Sequence, residues 1–316
     1  MKLSVIGAGD VGTAVVELAN DYDHTVTAFA DSTSAVLSDD GIDSETIIAK
    51  KRAKEPLGKS DPSSALSADY DVLIEANPTT LDDAEPAFSH VQEALERDRH
   101  VVLSNKGPMA LRYQEVRRLE QESAGSVRFG ATIGGTLPAI GTLEDIGKSH
   151  VTSINGALDG MANFILSRMA AEGLDYDHVL AEAQDLGVAE SDPSFKAEGT
   201  DSAMKALILA NLLWEDQEYT LVDVTVDGIS DLTGSQLDLA REDGWTIRLM
   251  VELSESSVRV GPRLIREHSS LAPSGSFTAI EFETEHAGPI SFTGRGTGGI
   301  ETATMILSDV NKLPPN

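Results

Sequence analysis

The sequence predicts an α/β chain in two parts, a doubly wound parallel sheet followed by an α+β unit whose sheet is mainly antiparallel. Three observations carry this. Short apolar strands alternate with helical patterns from Lys2 to about Gly130, the alternation stops near Gly134-Gly135-Thr136-Leu137-Pro138, and strand-like runs at hairpin spacing dominate from Leu221 onward. Strand and helix in alternation imply crossover connections between parallel strands, whereas hairpin spacing favours antiparallel neighbours with helices on one face. The chain is expected to divide into residues 1–135, completed by 294–316, and residues 136–293.

The first strand, Lys2 to Ile6, runs into Gly7-Ala8-Gly9-Asp10-Val11-Gly12 and a helix to about Asn20. In such a run the first glycine allows a tight turn, the second lets a pyrophosphate approach the backbone, and the third lets helix pack on strand, with the helix amino end receiving the phosphate charge. A lone G-x-G-x-x-G is weak. Here it sits between strand and helix, and Asp31 follows the second strand, His24 to Ala30, which is the context the motif demands. A Rossmann-type dinucleotide site is therefore expected on Gly7, Gly9, Asp10, Val11, Gly12 and Asp31.

Strands at Asp71–Glu75, His100–Ser104 and Ser126–Gly130, with helices near 82–97 and 109–122, continue the rhythm. Past the crossover come a strand from Val151 to Ala157, helices at about 161–172 and 176–186, and a polar loop broken by Pro193 and Gly199. The helix that follows, from about Thr200, is apolar almost all round and so is expected to be buried. On it Asp201 and Lys205 share a face with Ile208 and Leu212, and Glu190 and Asp192 arrive from the loop before it. A carboxylate and an ammonium at the wet end of an apolar stripe suit a pocket floor. An ordinary surface ion pair has the same spacing and, by spacing alone, is the commoner case. Strand-like runs then lie at 221–226, 246–253, 257–260, 277–283 and 289–293, and Gly294 to Ala303 opens a helix expected to return to the first part.

Composition excludes whole classes of chemistry. Cysteine is absent, so there is no disulfide framework, thiolate nucleophile or thiolate metal site. A net charge of -28, from 52 acidic against 24 basic residues, would repel nucleic acid and anionic membranes. The 41% hydrophobic content and regular periodicity point to a folded protein, and the acid excess suits a high-salt cytoplasm in which screening removes self-repulsion. No secretory pattern and no run of membrane-spanning length is present, so a cytoplasmic location is expected.

By these residues the chain resembles the homoserine dehydrogenases. The similarity runs through Gly7-x-Gly9-x-x-Gly12, Ser104-Asn105-Lys106-Gly107-Pro108, Gly134-Gly135-x-x-Pro138, Asn163 to Leu166, Gly187-x-Ala189-Glu190-x-Asp192-Pro193, Gly199-x-Asp201-x-x-x-Lys205, Asp227-Gly228-Ile229, Val260-x-Pro262 and Gly294-x-Gly296-x-Gly298 with Thr302-Ala303 and Ser308-Asp309. It implies reversible hydride transfer between a nicotinamide cofactor and L-homoserine or L-aspartate 4-semialdehyde, in the route to threonine and methionine. Lys205 and Lys106 would be the catalytic pair at the reacting oxygen, with Glu190 and Asp201 holding the substrate and orienting the lysine. Lysine suits this because its pKa falls readily on desolvation. Asn77, Ser104 and Gly298 would extend the cofactor contacts, and main-chain oxygens of Gly130, Ile133, Gly135 and Leu137 could hold Na+ or K+; a tight domain crossover explains the same glycines. The resemblance further implies a homodimer through the antiparallel sheets, and, with the chain ending soon after Thr302-Ala303, activity insensitive to threonine.

Two departures fall in the substrate shell. Lys196 stands where the family usually has aspartate, and Asp159-Gly160-Met161 replaces an Asn-Gly-Thr turn. They leave open a dehydrogenase for another small amino or hydroxy acid, with Lys196 gripping an extra anionic group. A dinucleotide sensor without turnover is a further alternative, disfavoured by the retained Lys106, Glu190, Asp201 and Lys205. For the cofactor, Asp31 favours NAD, while Lys50-Lys51-Arg52-x-Lys54 offers either a grip for the 2′-phosphate of NADP or only a solvated loop.

Overall fold

A computed structural model describes residues 1–189 and 193–314, and the chain separates into two compact units, Met1–Thr136 with Gly298–Asn316 and Leu137–Thr297. In the first unit, strands β1 (Lys2–Ile6), β2 (Thr25–Ala30), β3 (Ala35–Leu37), β4 (Val72–Glu75), β5 (His100–Leu103) and β6 (Val127–Arg128) form one sheet in the order β3-β2-β1-β4-β5-β6. β1 pairs parallel with β2 on one side and β4 on the other, and the parallel run continues through β5 to β6. The carboxyl ends of β1 and β4 therefore flank the topological switch point, where open α/β sheets take their ligands.

β3 departs from the expected parallel order and runs antiparallel to β2. Only Asp31 to Ser34 separate the two strands, too few residues for a crossover helix, so the chain turns straight back. The helix Ser44–Arg52 was not signalled by apolar periodicity; Asp43 caps it, accepting from the Thr46 N–H, and Lys50, Lys51 and Arg52 fill its last turn, where positive charge suits the helix dipole. The helix expected from 82 begins only at Ala87, after Asp83 and Ala84 at positive φ and Pro86, and that from 109 is two pieces, Gly107–Leu111 and Tyr113–Gln121. The helix Gly299–Val310 packs on the helix Asp10–Leu18, bringing Ala303, Ile306, Leu307 and Val310 into one core with Leu3, Val5 and Val15. Each aliphatic side chain fully buried contributes about 1.5–3 kcal/mol, which is what holds this helix to the unit.

In the second unit β7 (Val151–Ala157), β8 (Val224–Val226), β9 (Trp245–Ser254), β10 (Ser257–Arg266), β11 (Phe277–Thr284) and β12 (Gly288–Arg295) form a sheet in the order β12-β11-β7-β9-β10-β8. All pairs are antiparallel except β8 with β10. β10 extends past Val260 through Gly261 and Pro262 because β8 ends opposite Val260, leaving an edge on which proline removes no ladder bond. The helices Gly160–Glu172, Thr200–Leu213 and Gly234–Glu242 pack on β9. The helix Thr200–Leu213 is buried from Asp201 through Leu212, as its apolar circumference requires. No helix among the described residues is long and apolar enough to cross a membrane.

Candidate active site

The first unit offers a cradle at its switch point. Gly7 follows β1 at φ +104, and a Cβ there would come within 2.6 Å of the Asn77 nitrogen beyond β4. Gly12 packs so closely on the Gly7 carbonyl that a methyl group has no room. Gly9 is different: a Cβ would meet nothing within 4 Å, so its backbone faces open space beside the first turn of the helix Asp10–Leu18, whose N–H groups lack helical partners. A cleft of about 580 Å³ opens here, lined by Ala8, Gly9, Asp10, Thr13, Ala14 and Glu17, by Lys51 and Arg52, and by Gly299, Ile300 and Glu301. Asp10 is exposed and Val11 half-buried, and Gly298, at φ +128, leaves room for the Glu301 carboxylate. The arrangement fits a pyrophosphate.

Asp31 follows β2 at the same edge. One oxygen accepts from the Thr33 N–H at 2.9 Å, the Thr33 hydroxyl at 2.8 Å and the Ser34 N–H at 2.9 Å, and the other lies 3.5 Å from Lys51 Nζ. Burial works to raise the pKa of this carboxyl, but those donors and the Lys51 charge outweigh it and hold it below the usual carboxylate range. The basic run is thus partly helical and faces the cleft through Lys51 and Arg52, rather than forming a solvated loop.

Asn77, Ser104 and Lys106 gather at the carboxyl ends of β4 and β5. The Ser104 N–H donates to the Glu75 carbonyl at 3.1 Å, the Asn105 amide donates to the Pro78 carbonyl at 3.2 Å, and the Lys106 N–H donates to the Thr79 hydroxyl at 3.2 Å. Asn105 Oδ1 in turn accepts from the Gly107 N–H at 2.9 Å, starting the short helix Gly107–Leu111 with half-buried Lys106 at its amino end. Asparagine before the lysine is therefore a fastening between two loops.

In the second unit Lys205 Nζ lies 2.7 Å from Asp201 Oδ2, with side chains 7% and 6% exposed, so the pair is not a surface one. The same ammonium donates to the Leu158 carbonyl at 2.7 Å. Next in the chain, Asp159 caps the helix Gly160–Glu172, its Oδ1 accepting from the Ala162 N–H at 2.9 Å, while Oδ2 is buried with no hydrogen-bond donor among the described residues. Burial pushes the Asp159 carboxyl above the usual carboxylate range; the Lys205 charge opposes the rise, Asp201 reinforces it, and Lys196 opposes it weakly. Lys196 is half-buried in the turn Ser194–Ala197, which is strapped by the Ile229 N–H donating to the Ala197 carbonyl at 2.9 Å. Asn163 donates to the carbonyls of Ala157 and Phe277, which gives that motif residue a structural task, and Met161 is core.

The raised Asp159 carboxyl has a stability consequence. The unfolded chain ionises this group at lower pH than the folded one, so its favourable contribution is complete below the ordinary aspartate pKa and is lost as pH rises through the folded value. Asp159→Asn keeps the helix cap and removes the titration. The variant is expected to melt higher than wild type above neutral pH, with the difference shrinking in acid. Calorimetry at pH 4 and pH 8 checks this; equal melting points at both would refute it.

Not every expected site residue enters this geometry. Glu190 and Asp192 lie outside the described residues. Lys106 and Lys205 belong to different units. Gly130, Ile133, Gly135 and Leu137 lie on the segment where one unit gives way to the next; the Gly130 N–H donates at 2.7 Å to Asp309, whose carboxyl burial pushes upward, and Gly135 adopts φ +53. Among the described residues, the side-chain group with metal-ligand chemistry is His150, Glu285 and His286, all exposed and at the opposite end of β7 from Asp159. The contact of Lys51 with Asp31 and the burial of the Asp159 carboxyl near Lys205 are not visible in the sequence. Asp159 differs from Asn only in charge, and Lys51 reaches Asp31 through a helix that periodicity did not show.

A glycine turn at the switch point of a parallel sheet, followed by a carboxylate after the next strand, places the first unit in the class of dinucleotide-binding α/β folds. Comparison with known proteins narrows the class. Residues 138–310 match the family model described as Homoserine dehydrogenase, and residues 1–97 match that described as Glutamate/Leucine/Phenylalanine/Valine dehydrogenase. A homoserine dehydrogenase of Methanocaldococcus jannaschii is 35% identical over 98% of this chain and 97% of its own length. An NAD(+)-dependent homoserine dehydrogenase of Pseudomonas canavaninivorans is 36% identical over 76% of this chain and 70% of that protein. Among solved structures, an Archaeoglobus fulgidus chain provisionally designated a homoserine dehydrogenase has a TM-score of 0.90 at 36% identity, covering 98% of each chain. A hyperthermophilic archaeal homoserine dehydrogenase in complex with NADPH has a TM-score of 0.86 at 25% identity, covering 100% of this chain and 98% of that one. The chain belongs to the homoserine dehydrogenase family.

Proposed function

We propose that this protein interconverts L-homoserine and L-aspartate 4-semialdehyde, with Lys205 as the group that moves the proton of the reacting oxygen. The observation that carries this is the buried Lys205–Asp201 pair. Among the described residues, Asp201 and the Leu158 carbonyl take two of the three ammonium donors, and the third is assigned to a substrate oxygen. A bound nicotinamide supplies the two-electron acceptor or donor for the carbon that bears this oxygen. In the reducing direction Lys205 gives its proton to the oxygen as the alcohol forms, and in the oxidising direction takes it back. Lys106 adds positive charge at the oxygen from the Ser104–Pro108 loop, and Glu190 with Asp201 receives the substrate ammonium. Lys196 is assigned to the substrate pocket as well, and its charge opposing the rise at Asp159 supports this.

Cofactor preference is proposed as NAD over NADP. Asp31 keeps its charge and engages Lys51, so a 2′-phosphate would meet a carboxylate and a lysine already occupied. A monovalent cation on the carbonyls of Gly130, Ile133, Gly135 and Leu137 fits the oxygen-only chemistry of that segment. Exposed Leu264 on β10 and Phe277 on β11 support a homodimer through the second unit's sheet, and the charge of -28 supports a working solvent of high salt.

The test is the absorbance of reduced nicotinamide on mixing protein, oxidised cofactor and L-homoserine in molar salt. Turnover with homoserine, at a lower KM for NAD than for NADP, is expected. Turnover only with other hydroxy acids would move the substrate assignment, and cofactor binding without any turnover would end the enzymatic reading.

A further inference from the structure

Glu75, the last residue of β4, is fully buried beside residues that the proposed chemistry uses, yet it has no part in that chemistry. A buried carboxylate is costly unless its oxygens are partnered, and an aliphatic residue like the preceding Val72, Leu73 and Ile74 would fill a strand end without that cost. The partners of Glu75 show what it holds. Oε1 accepts from the Asn77 N–H at 2.9 Å, and Oε2 lies 2.6 Å from Nδ1 of His90, on the helix Ala87–Glu96. The main-chain carbonyl of Glu75 takes the Ser104 N–H at 3.1 Å and lies 3.4 Å from the Ser104 hydroxyl.

The turn so fixed touches all three central strands. Its Ala76 and Asn77 backbone stands against Gly7, where an added Cβ would collide, so its position sets the shape of the glycine turn after β1. Its continuation, Pro78 and Thr79, receives Asn105 and the Lys106 N–H from the loop after β5. A shift of this turn would therefore move the glycine loop, Asn77 and Lys106 together.

Resting on the dehydrogenase reading above, we propose that Glu75, anchored by His90, is a positioning residue for cofactor binding, holding the turn through Asn77 and, by way of Pro78 and Thr79, the backbone of Lys106. If the contact only stabilised the core, its removal would lower the melting point and leave ligand affinity alone. A positioning residue changes affinity and turnover in folded protein, and a side chain that rebuilds its hydrogen bonds without its charge restores them.

The experiment is a fluorescence titration of reduced nicotinamide cofactor in molar salt, with kcat measured alongside, for wild type, Glu75→Ala, Glu75→Gln and His90→Ala. Glu75→Ala is expected to weaken cofactor binding about ten- to hundredfold and to lower kcat by a similar factor, the scale of a misplacement of about 1 Å. Glu75→Gln can still accept from Asn77 and donate to His90, and should recover binding to within about threefold of wild type. His90→Ala, which leaves one Glu75 oxygen without its partner, should fall between them, and it carries the test if Glu75→Ala does not fold. Absence of cofactor binding by wild type would overturn the dehydrogenase reading and this inference with it. Wild-type affinity in folded Glu75→Ala or His90→Ala would overturn this inference alone.

Discussion

Lys205→Met is expected to lower kcat by about a hundredfold to ten-thousandfold, the range for removing a positioned proton-transfer group. Methionine keeps most of the stem volume in a helix buried from Asp201 through Leu212, so packing is disturbed little. The charge is a separate matter. Loss of the ammonium takes the 2.7 Å ion-pair contact from buried Asp201 and a donor from the Leu158 carbonyl. Breaking a buried pair from one side costs about 3–5 kcal/mol, so the single variant should also be less stable. Asp201→Asn in the same chain removes the carboxylate charge that the ammonium had balanced, and the double variant should regain much of the stability and none of the activity. Cofactor affinity should stay near wild type, because Gly7, Gly9, Gly12 and Asp31 belong to the other unit. Near-normal kcat in the folded double variant would refute the role given to Lys205.

What the sequence disclosed about this site follows from the kind of order each part has. The glycine turn and Asp31 were legible because strand, turn and helix are consecutive in the chain, and the motif is a local geometry. The burial of the helix Thr200–Leu213 was legible because an apolar circumference has no other stable place. Whether Asp201 and Lys205 were surface or pocket was not decidable from spacing, since it depends on what packs on their helix, with β8, β9 and β10 coming from later in the chain and the Leu158 carbonyl from before it. The antiparallel turn of β3 and the helix Ser44–Arg52 escaped for a related reason. A three-residue strand has almost no periodicity, and a helix ended by three basic residues is defined by its cap and dipole more than by an apolar stripe. The Glu75–His90 contact joins a strand end to a helix fifteen positions on, and no motif announces it.

The glycine turn permits a second large effect, separable into two causes by neighbouring substitutions. Gly12→Ala puts a methyl group into the Gly7 carbonyl, and this neighbour is backbone, which cannot swing aside. The helix Asp10–Leu18 must then lift from β1, disturbing the packing of its own Ala14 and Val15 and its contact with the closing helix Gly299–Val310. Overpacking of this kind costs about 1–3 kcal/mol or more, so the variant is expected to melt lower and to lose cofactor binding through loss of the cradle. Gly9→Ala should behave otherwise. Its φ of -79° suits alanine, and its Cβ meets nothing within 4 Å, so stability should stay within about 0.5 kcal/mol of wild type. The methyl would occupy the space through which a pyrophosphate reaches the backbone N–H groups, and cofactor binding should weaken at least about tenfold in a protein that is otherwise native. Thermal melts and cofactor titrations of the two variants side by side separate packing from ligand approach. Undiminished cofactor affinity in Gly9→Ala would mean that the phosphates do not lie over this turn, and the cofactor would have to be placed elsewhere along the edge of β1 and β4.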